Sequence, residues 1–476
     1  MTTEFQHTPL SEIQHIYERV TATFKSGVTR PLEYRRKQLL QLKRMLQENQ
    51  TALEDAHYLD FNKPRVEIAL NEVSASISTV TYALQHFEEW ARPEKPEVEA
   101  WRSSWDSTIH KVPKGVALII APFNYPIVLS FNPMVGAIAA GCPVVLKPAE
   151  ATPNASTLIA KLLPKYLDPA AYAVVNGGIP ETSALLELRW DHIFFTGGPK
   201  VGQIVATAAA KHITPVTLEL GGKSPVIIDT DCDLELAAKR TLYGKLQNAG
   251  QVCVAPDYVL VPRSVAPAFK KALAKWYETF WPKGTLHDVT QWGKIVNSVA
   301  HQRIKRLIQQ TKGEIILGGE ATDDGRIALT IVTGVTADDS LMQEEIFGPV
   351  LPLIEVDNVD DAIAFIAERQ IPLALYVFTR SADTKKKVIE RTNSGRLAFN
   401  ETFASFAGHE LPFGGHGHSG YGSYIGKISF DTFTHNRGTT DVPAEMEPMF
   451  EPRYPPYSDE KYKMMTQSMR VPAPEA

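Results

Sequence analysis

At 476 residues the chain is too long for one hydrophobic core and implies roughly two or three domains. A net charge of −5, with 22% charged and 44% apolar residues, gives no bias toward nucleic acid or anionic membranes, and no apolar run spans a bilayer. The three cysteines, Cys142, Cys232 and Cys253, are odd in number and outside any pair motif, as expected of free thiols in a reducing cytosol, and give no metal-ligand spacing.

The start, MTTEFQHTPLSE, is polar and has no signal-peptide core. Up to about residue 90 the pattern is helical, with Leu39, Leu42 and Leu46 on one face of PLEYRRKQLLQLKRMLQENQ. Pro93 and Pro96 break that pattern and suggest a hinge or excursion. From about 112 short aliphatic runs alternate with helical stretches: GVALIIAP and PVVLKP as strands, NPMVGAIAAG and TLIAKLLPKYL as helices, then AYAVVNG, ETSALLEL, HIFFTGG and VGQIVATAAAKH. Apolar strands separated by helices imply a parallel sheet covered on both faces, a doubly wound α/β pattern in which ligands sit beyond the carboxyl ends of the strands. A second alternation begins near TPVTLEL and runs through SPVIID, a helix from Asp233 to Ala249, and YVLV, as far as PLALYVF. Lys385 to Lys387 reads as a solvated helix face, and the proline-rich end, EPRYPPYS and VPAPEA included, as an extended tail.

Several stretches offer chemistry, each beside a plainer reading. Asn124, in APFNYP after an aliphatic strand, places an amide where it can donate to a developing oxyanion, or simply makes a turn. Lys147 and Glu150 end the strand VVLKPAE and suit ribose hydroxyls, or are a surface pair. In FTGGPKVG, Gly197 and Gly198 follow a strand and Pro199 suits a first helical turn, so free amides point at a pyrophosphate; glycine at such turns is also often structural. Glu219 lies between two leucines in LELGGKSP, where a raised pKa would suit a general base, although a structural glutamate is common. Cys253, in NAGQVCVAP, is a nucleophile or a small buried hydrophobe. In EEIFGPV, Glu345 can accept from a ribose and Phe347 can lie against a flat ring, or the pair forms an acidic turn packed by the aromatic. Gly415, Gly417 and Gly420 spell G-x-G-x-x-G, but they come late, follow Pro412 and lack the strand–helix context, so a turn is expected. His416 and His418 lack further ligands at useful spacing, and no metal is expected.

In order, FNYP, VVLKPAE, FTGGxxVG, LELGGKSP, GQVC, EEIFGPV and LPFGG resemble the aldehyde dehydrogenase superfamily from about residue 30 to 437. NGGIPET, PLALYVF and GHSGYGSYIGKISFDTFTH resemble its class 3, fatty and aromatic aldehyde branch. The resemblance implies an α/β fold with a Rossmann-type cofactor domain (1–93 and 119–218), a catalytic α/β domain (219–416), a small β oligomerisation element (94–118 and 417–440) and a tail from 441 to 476. It implies Cys253 as nucleophile, Asn124 with the Cys253 amide as oxyanion site, and Glu219 as the base that activates water. It also implies Lys147, Glu150, Gly197, Gly202, Glu345 and Phe347 around NAD or NADP, with Asn400 near the nucleophile. Phe403 and Phe406, with Tyr125, are expected to line a pocket for aromatic or medium- to long-chain aldehydes; plain packing is the alternative. The sequence departs from the pattern at Phe123, where the family usually has Trp, at Gly198–Pro199, which lacks a hydroxyl pair, and at Val252, which replaces a common Thr. A cytoplasmic homodimer with no membrane anchor is expected. An acylating, coenzyme A-dependent or reductive relative and a catalytically silent protein on the same fold are the alternatives.

Overall fold

Short β-branched runs that cannot complete a helix become strands here, and the small-residue stretches between them become the helices that cover the sheets. The structure, a computed structural model, describes residues 5–467. It divides into two compact units, Met1–Trp90 with Pro113–Thr434, and Ala91–Val112 with His435–Ala476.

In the first unit, the N-terminal stretch is helical as its periodicity predicts, and Leu39, Leu42 and Leu46 are fully buried. A six-stranded sheet runs in the spatial order Gly420–Tyr421, Val216–Leu220, His192–Gly197, Ala117–Ile120, Val144–Lys147, Tyr172–Val174. Its strands are parallel except for Gly420–Tyr421, which pairs antiparallel with Val216–Leu220. The chain starts in the middle at Ala117–Ile120, winds outward through two strands, then returns to lay the others on the opposite side. That reversal opens a crevice beyond the carboxyl ends of the strands. The helix Val128–Ala140 can be made of small residues because it is packed very closely: a Cβ on Gly136 would lie 2.5 Å from the Ser429 side chain.

The seven-stranded sheet has the order Arg396–Phe399, Ala374–Phe378, Pro225–Ile228, Tyr258–Pro262, Val350–Val356, Thr330–Thr333, Glu314–Leu317, parallel apart from the last strand. Its inner strands are apolar and buried on both faces, and each fully buried Val, Leu or Ile side chain contributes roughly 1.5–3 kcal/mol. TPVTLEL, expected to open the second alternation, instead extends the first sheet beside His192–Gly197. Both sheets use the same kind of apolar strand, so periodicity does not reveal the partner.

The second unit carries a two-stranded sheet of Thr108–Pro113 and Thr434–Thr439. Trp105 packs edge-on to Trp101 and Phe450. The segment expected to be an extended tail forms the short helices Glu447–Phe450 and Asp459–Met465, the latter capped by Ser458. VPAPEA lies outside the described residues. Among the described residues no helix is long and apolar enough to cross a membrane.

Candidate active site

The helix expected to reach Ala249 stops three residues short. Asp233 caps its start by accepting from the Leu236 amide at 3.0 Å, and the helix runs Leu234–Leu246. Asn248 and Ala249 then take left-handed φ values of 49° and 50°, and Gly250 follows at 77°. A side chain on Gly250 is excluded, because its Cβ would lie 2.2 Å from the Gly348 carbonyl oxygen. The turn is held by Gln251, whose amide nitrogen donates to the Asn248 and Lys294 carbonyls at 3.0 and 3.1 Å while its Oε1 accepts from Val296 N at 2.9 Å. Cys253 is thereby presented at a loop, half-buried, rather than packed into a helix.

Asn124 is attached to the same loop. Its Nδ2 donates to the Gln251 carbonyl at 3.1 Å, and its own carbonyl accepts from Asn248 Nδ2 at 2.9 Å. One amide hydrogen thus fixes the side chain while the second stays available. Two cavities meet at this loop, and among the described residues Asn124 and Cys253 are the two that line both.

The first cavity, of about 530 Å³, lies at the carboxyl ends of the six-stranded sheet. Lys147, Glu150, Gly197, Glu219, Glu345 and Phe347 all border it. Lys147 is buried and its ammonium donates to Glu150 Oε2 at 2.6 Å, leaving a carboxylate at the rim. Gly198 caps the helix Pro199–Ala210, and a Cβ there would meet open space. Gly202 stands apart from the lining: its missing side chain makes room for Leu220, 2.6 Å from an added Cβ, so it packs helix against strand. Phe347 adopts φ 48° and meets the Phe123 ring edge-on at 5.7 Å. A crevice with a glycine-opened helix N-terminus, a buried ammonium and a rim carboxylate fits a dinucleotide's pyrophosphate and riboses.

The second cavity, of about 500 Å³, is largely apolar and opens on the other side of Cys253. Tyr125, Phe403 and Phe406 line it, with Val128, Phe413 and Tyr424. Tyr125 stacks on Phe403 at 6.4 Å. Asn400 borders neither cavity; it clamps the end of a strand by exchanging two hydrogen bonds with the Thr379 backbone, at 2.9 and 3.0 Å.

Burial dominates the electrostatics of the site. Burial alone raises Glu219 well above the usual carboxylate range, and neither carboxylate oxygen has a hydrogen-bond partner among the described residues. Burial, reinforced by Asp257, pushes Glu345 up to about 8 against the opposing Gly222 amide, Lys223 and Lys245. Gly221 is what lets it in, since a Cβ there would lie 2.1 Å from Glu345 Oε2. The Cys253 thiol is pushed up by burial, then by Glu345 and Glu219. The glycine- and histidine-rich stretch near 417 also finds its place. It is a tight turn that delivers Gly420 opposite Glu219 as an antiparallel strand, with a Cβ on Gly420 excluded by the Leu218 carbonyl at 1.9 Å. Reasoning from sequence assigned no role to Gln251, Asn248 or Tyr424. Gln251 lies two residues before Cys253 in the chain, while Tyr424 is brought in by a distant turn.

A doubly wound sheet whose crevice leads to a loop-borne thiol is the framework of a dinucleotide-linked oxidoreductase. Residues 1–438 match the aldehyde dehydrogenase family, and the chain belongs to it. Among similar proteins are "Aldehyde dehydrogenase family 3 member B1" of Homo sapiens, 43% identical with 95% of this chain and 96% of the relative covered, and "Aldehyde dehydrogenase, dimeric NADP-preferring" of Canis lupus familiaris, 42% identical with 94% and 98% covered. The solved "Substrate bound state of Staphylococcus Aureus AldH" superposes with a TM-score of 0.92 at 37% identity, covering 96% of this chain and 99% of that one. The "NAD+ complex structure of aldehyde dehydrogenase from bacillus cereus" gives 0.84 at 28% identity, covering 92% and 90%.

Proposed function

We propose that the chain oxidises aromatic or medium- to long-chain aliphatic aldehydes to carboxylic acids with NAD, or with NADP, through a covalent adduct on Cys253. The observation that carries this reading is the position of Asn124 and Cys253 where the crevice beyond the carboxyl ends of the six-stranded sheet meets the cavity lined by Tyr125, Phe403 and Phe406. Lys147 and Glu150 would hold ribose hydroxyls, the Gly197–Gly198 turn the pyrophosphate, and Glu345 and Phe347 the inner end. What the oxidised dinucleotide supplies when bound is a hydride acceptor, which turns a thiohemiacetal into a thioester, and the positive charge that a thiolate needs beside it.

With its thiol proton released to solvent, Cys253 Sγ adds to the carbonyl carbon, and Asn124 Nδ2 with the Cys253 amide donates to the oxygen that becomes negative. Glu219 takes a proton from water, the water oxygen attacks the thioester carbon, and Sγ leaves as thiolate. A buried carboxylate with no hydrogen-bond partner among the described residues holds its proton affinity high enough for that role near neutral pH. It also favours hydrolysis over transfer to coenzyme A.

We assign dinucleotide binding to 1–93 and 119–218, catalysis to 219–416, and subunit pairing to 94–118 and 417–440, followed by the tail from 441. The dimeric name of the dog relative supports a homodimer, and three unpaired cysteines support a cytoplasmic location. The test mixes purified protein with NAD or NADP and short, long-chain and aromatic aldehydes, following reduced-dinucleotide absorbance and acid. Acid in step with absorbance is the expected result. Cofactor binding without turnover, or turnover only with coenzyme A present, would replace this reading with the silent or acylating one.

A further inference from the structure

Behind the two catalytic loops lies a buried group of ionisable side chains that the reaction does not use. The segment from His57 to Ser74 contributes His57, Lys63, Glu67 and Glu72, and its last residues, Ala69–Ser74, form a π-helix, a local widening of the helix often found at functional positions. Lys63, His57 and Glu72 are fully buried. Lys63 Nζ lies 3.6 Å from Glu67 Oε1 and 4.4 Å from the centroid of the Tyr125 ring. Glu72 Oε1 lies 3.5 Å from His57 Nε2.

Each carboxylate reaches a different catalytic loop. Glu67 Oε1 accepts from the backbone amide of Asn248 at 2.7 Å, at the first of the left-handed residues that lead to Cys253. Glu72 Oε2 accepts from the amides of Ile127 and Val128 at 3.1 and 2.7 Å, at the start of the helix that follows Asn124 and Tyr125. A carboxylate there also meets the positive end of the helix dipole. The oxyanion loop and the nucleophile loop, distant in sequence, thus hang from two carboxylates one turn apart, with the Lys63 ammonium beside one of them and over the ring that joins the other loop.

We infer that Glu67, Glu72 and Lys63 form a positioning set that holds Asn124 in register with Cys253. The inference rests on the covalent reading above. It predicts that the set acts on the rate of the oxyanion-forming step, through Asn124, and not on binding of either substrate.

The test is a mutant cycle. Asn124→Ala lowers kcat by about 10²-fold, the loss typical of one oxyanion donor. Glu67→Met, which removes the acceptor for Asn248 N, lowers kcat about 10-fold and leaves both KM values and the iodoacetamide alkylation rate of Cys253 within about twofold, since alkylation develops no oxyanion. Glu67→Gln keeps an oxygen for that amide and recovers kcat to within about threefold. Added to Asn124→Ala, Glu67→Met costs less than about twofold more, because the group through which it acts is gone. Should Glu67→Met not fold, Lys63→Met/Glu67→Met, which leaves no unpaired ammonium, takes its place in the cycle. A loss that persists undiminished in the Asn124→Ala background, or equal losses for Glu67→Met and Glu67→Gln, would overturn the inference. An Asn124→Ala variant with full activity would instead remove Asn124 as oxyanion donor, the part of the covalent reading on which the inference rests.

Discussion

Cys253 sits where burial and two carboxylates hold its thiol neutral in the free protein, so its reactivity is set by its neighbours. Glu345 ionises near pH 8, and its charge opposes that of the thiolate. Glu345→Gln removes the opposing charge, and the pH–rate profile for iodoacetamide alkylation of Cys253 is expected to shift to lower pH; an unshifted profile would separate the two groups electrostatically. Cys253→Ala should abolish dehydrogenase turnover while dinucleotide binding, followed by fluorescence titration, is retained. Glu219→Gln should keep a first-turnover burst of reduced dinucleotide and slow the steady state by about 10²-fold or more, read by stopped-flow absorbance. Each of these side chains was visible in the sequence as a residue of the right type in a suggestive context. What the sequence lacked was proof of proximity. Gly202 and Asn400 show the cost: both sit within or near the right motifs, yet one packs against Leu220 and the other ties a strand end to Thr379.

Turns and caps, more than helices and strands, decide where these groups meet. Gly250→Ala would force a Cβ against the Gly348 carbonyl in a left-handed backbone. It should lower kcat at least about 10-fold while far-ultraviolet circular dichroism is unchanged. Glu72 couples an element to pH. Burial raises it to about 7, against the opposing pull of Lys63 and the Val128 and Ile127 amides, with Glu67 adding to the rise. A carboxyl raised above its unfolded value stabilises the fold at low pH, and that stabilisation is lost as pH climbs from about 4.5 through 7. Thermal unfolding midpoints should fall across this window, and Glu72→Gln should flatten the slope; equal slopes would remove Glu72 as its source. Alternation of aliphatic runs made the sheets legible, and Pro199 marked a helix start that the structure has. The early end of the helix before Cys253 was not legible, because Asn248 and Ala249 owe their left-handed turn to contacts from Glu67, Asn124 and Gln251 rather than to local propensity.

The whole molecule was legible as an ordered set of motifs, and the family match over residues 1–438 agrees with that order. Sheet membership was less so, since TPVTLEL looks the same whether it opens one sheet or closes another. A homodimer should elute from light-scattering chromatography at twice the chain mass, and a chain ending before residue 435 should elute as monomer; an unchanged dimer would exclude residues 435–476 from the pairing surface. The walls of the two cavities come from different stretches, residues 178–204 on one side and 70–79 with 403–413 on the other, joined at Asn124 and Cys253. Descendants of this chain can therefore change diet and currency separately. A substitution at Phe403 that alters the preferred aldehyde should leave the choice between NAD and NADP as it was, and selection on one need not disturb the other.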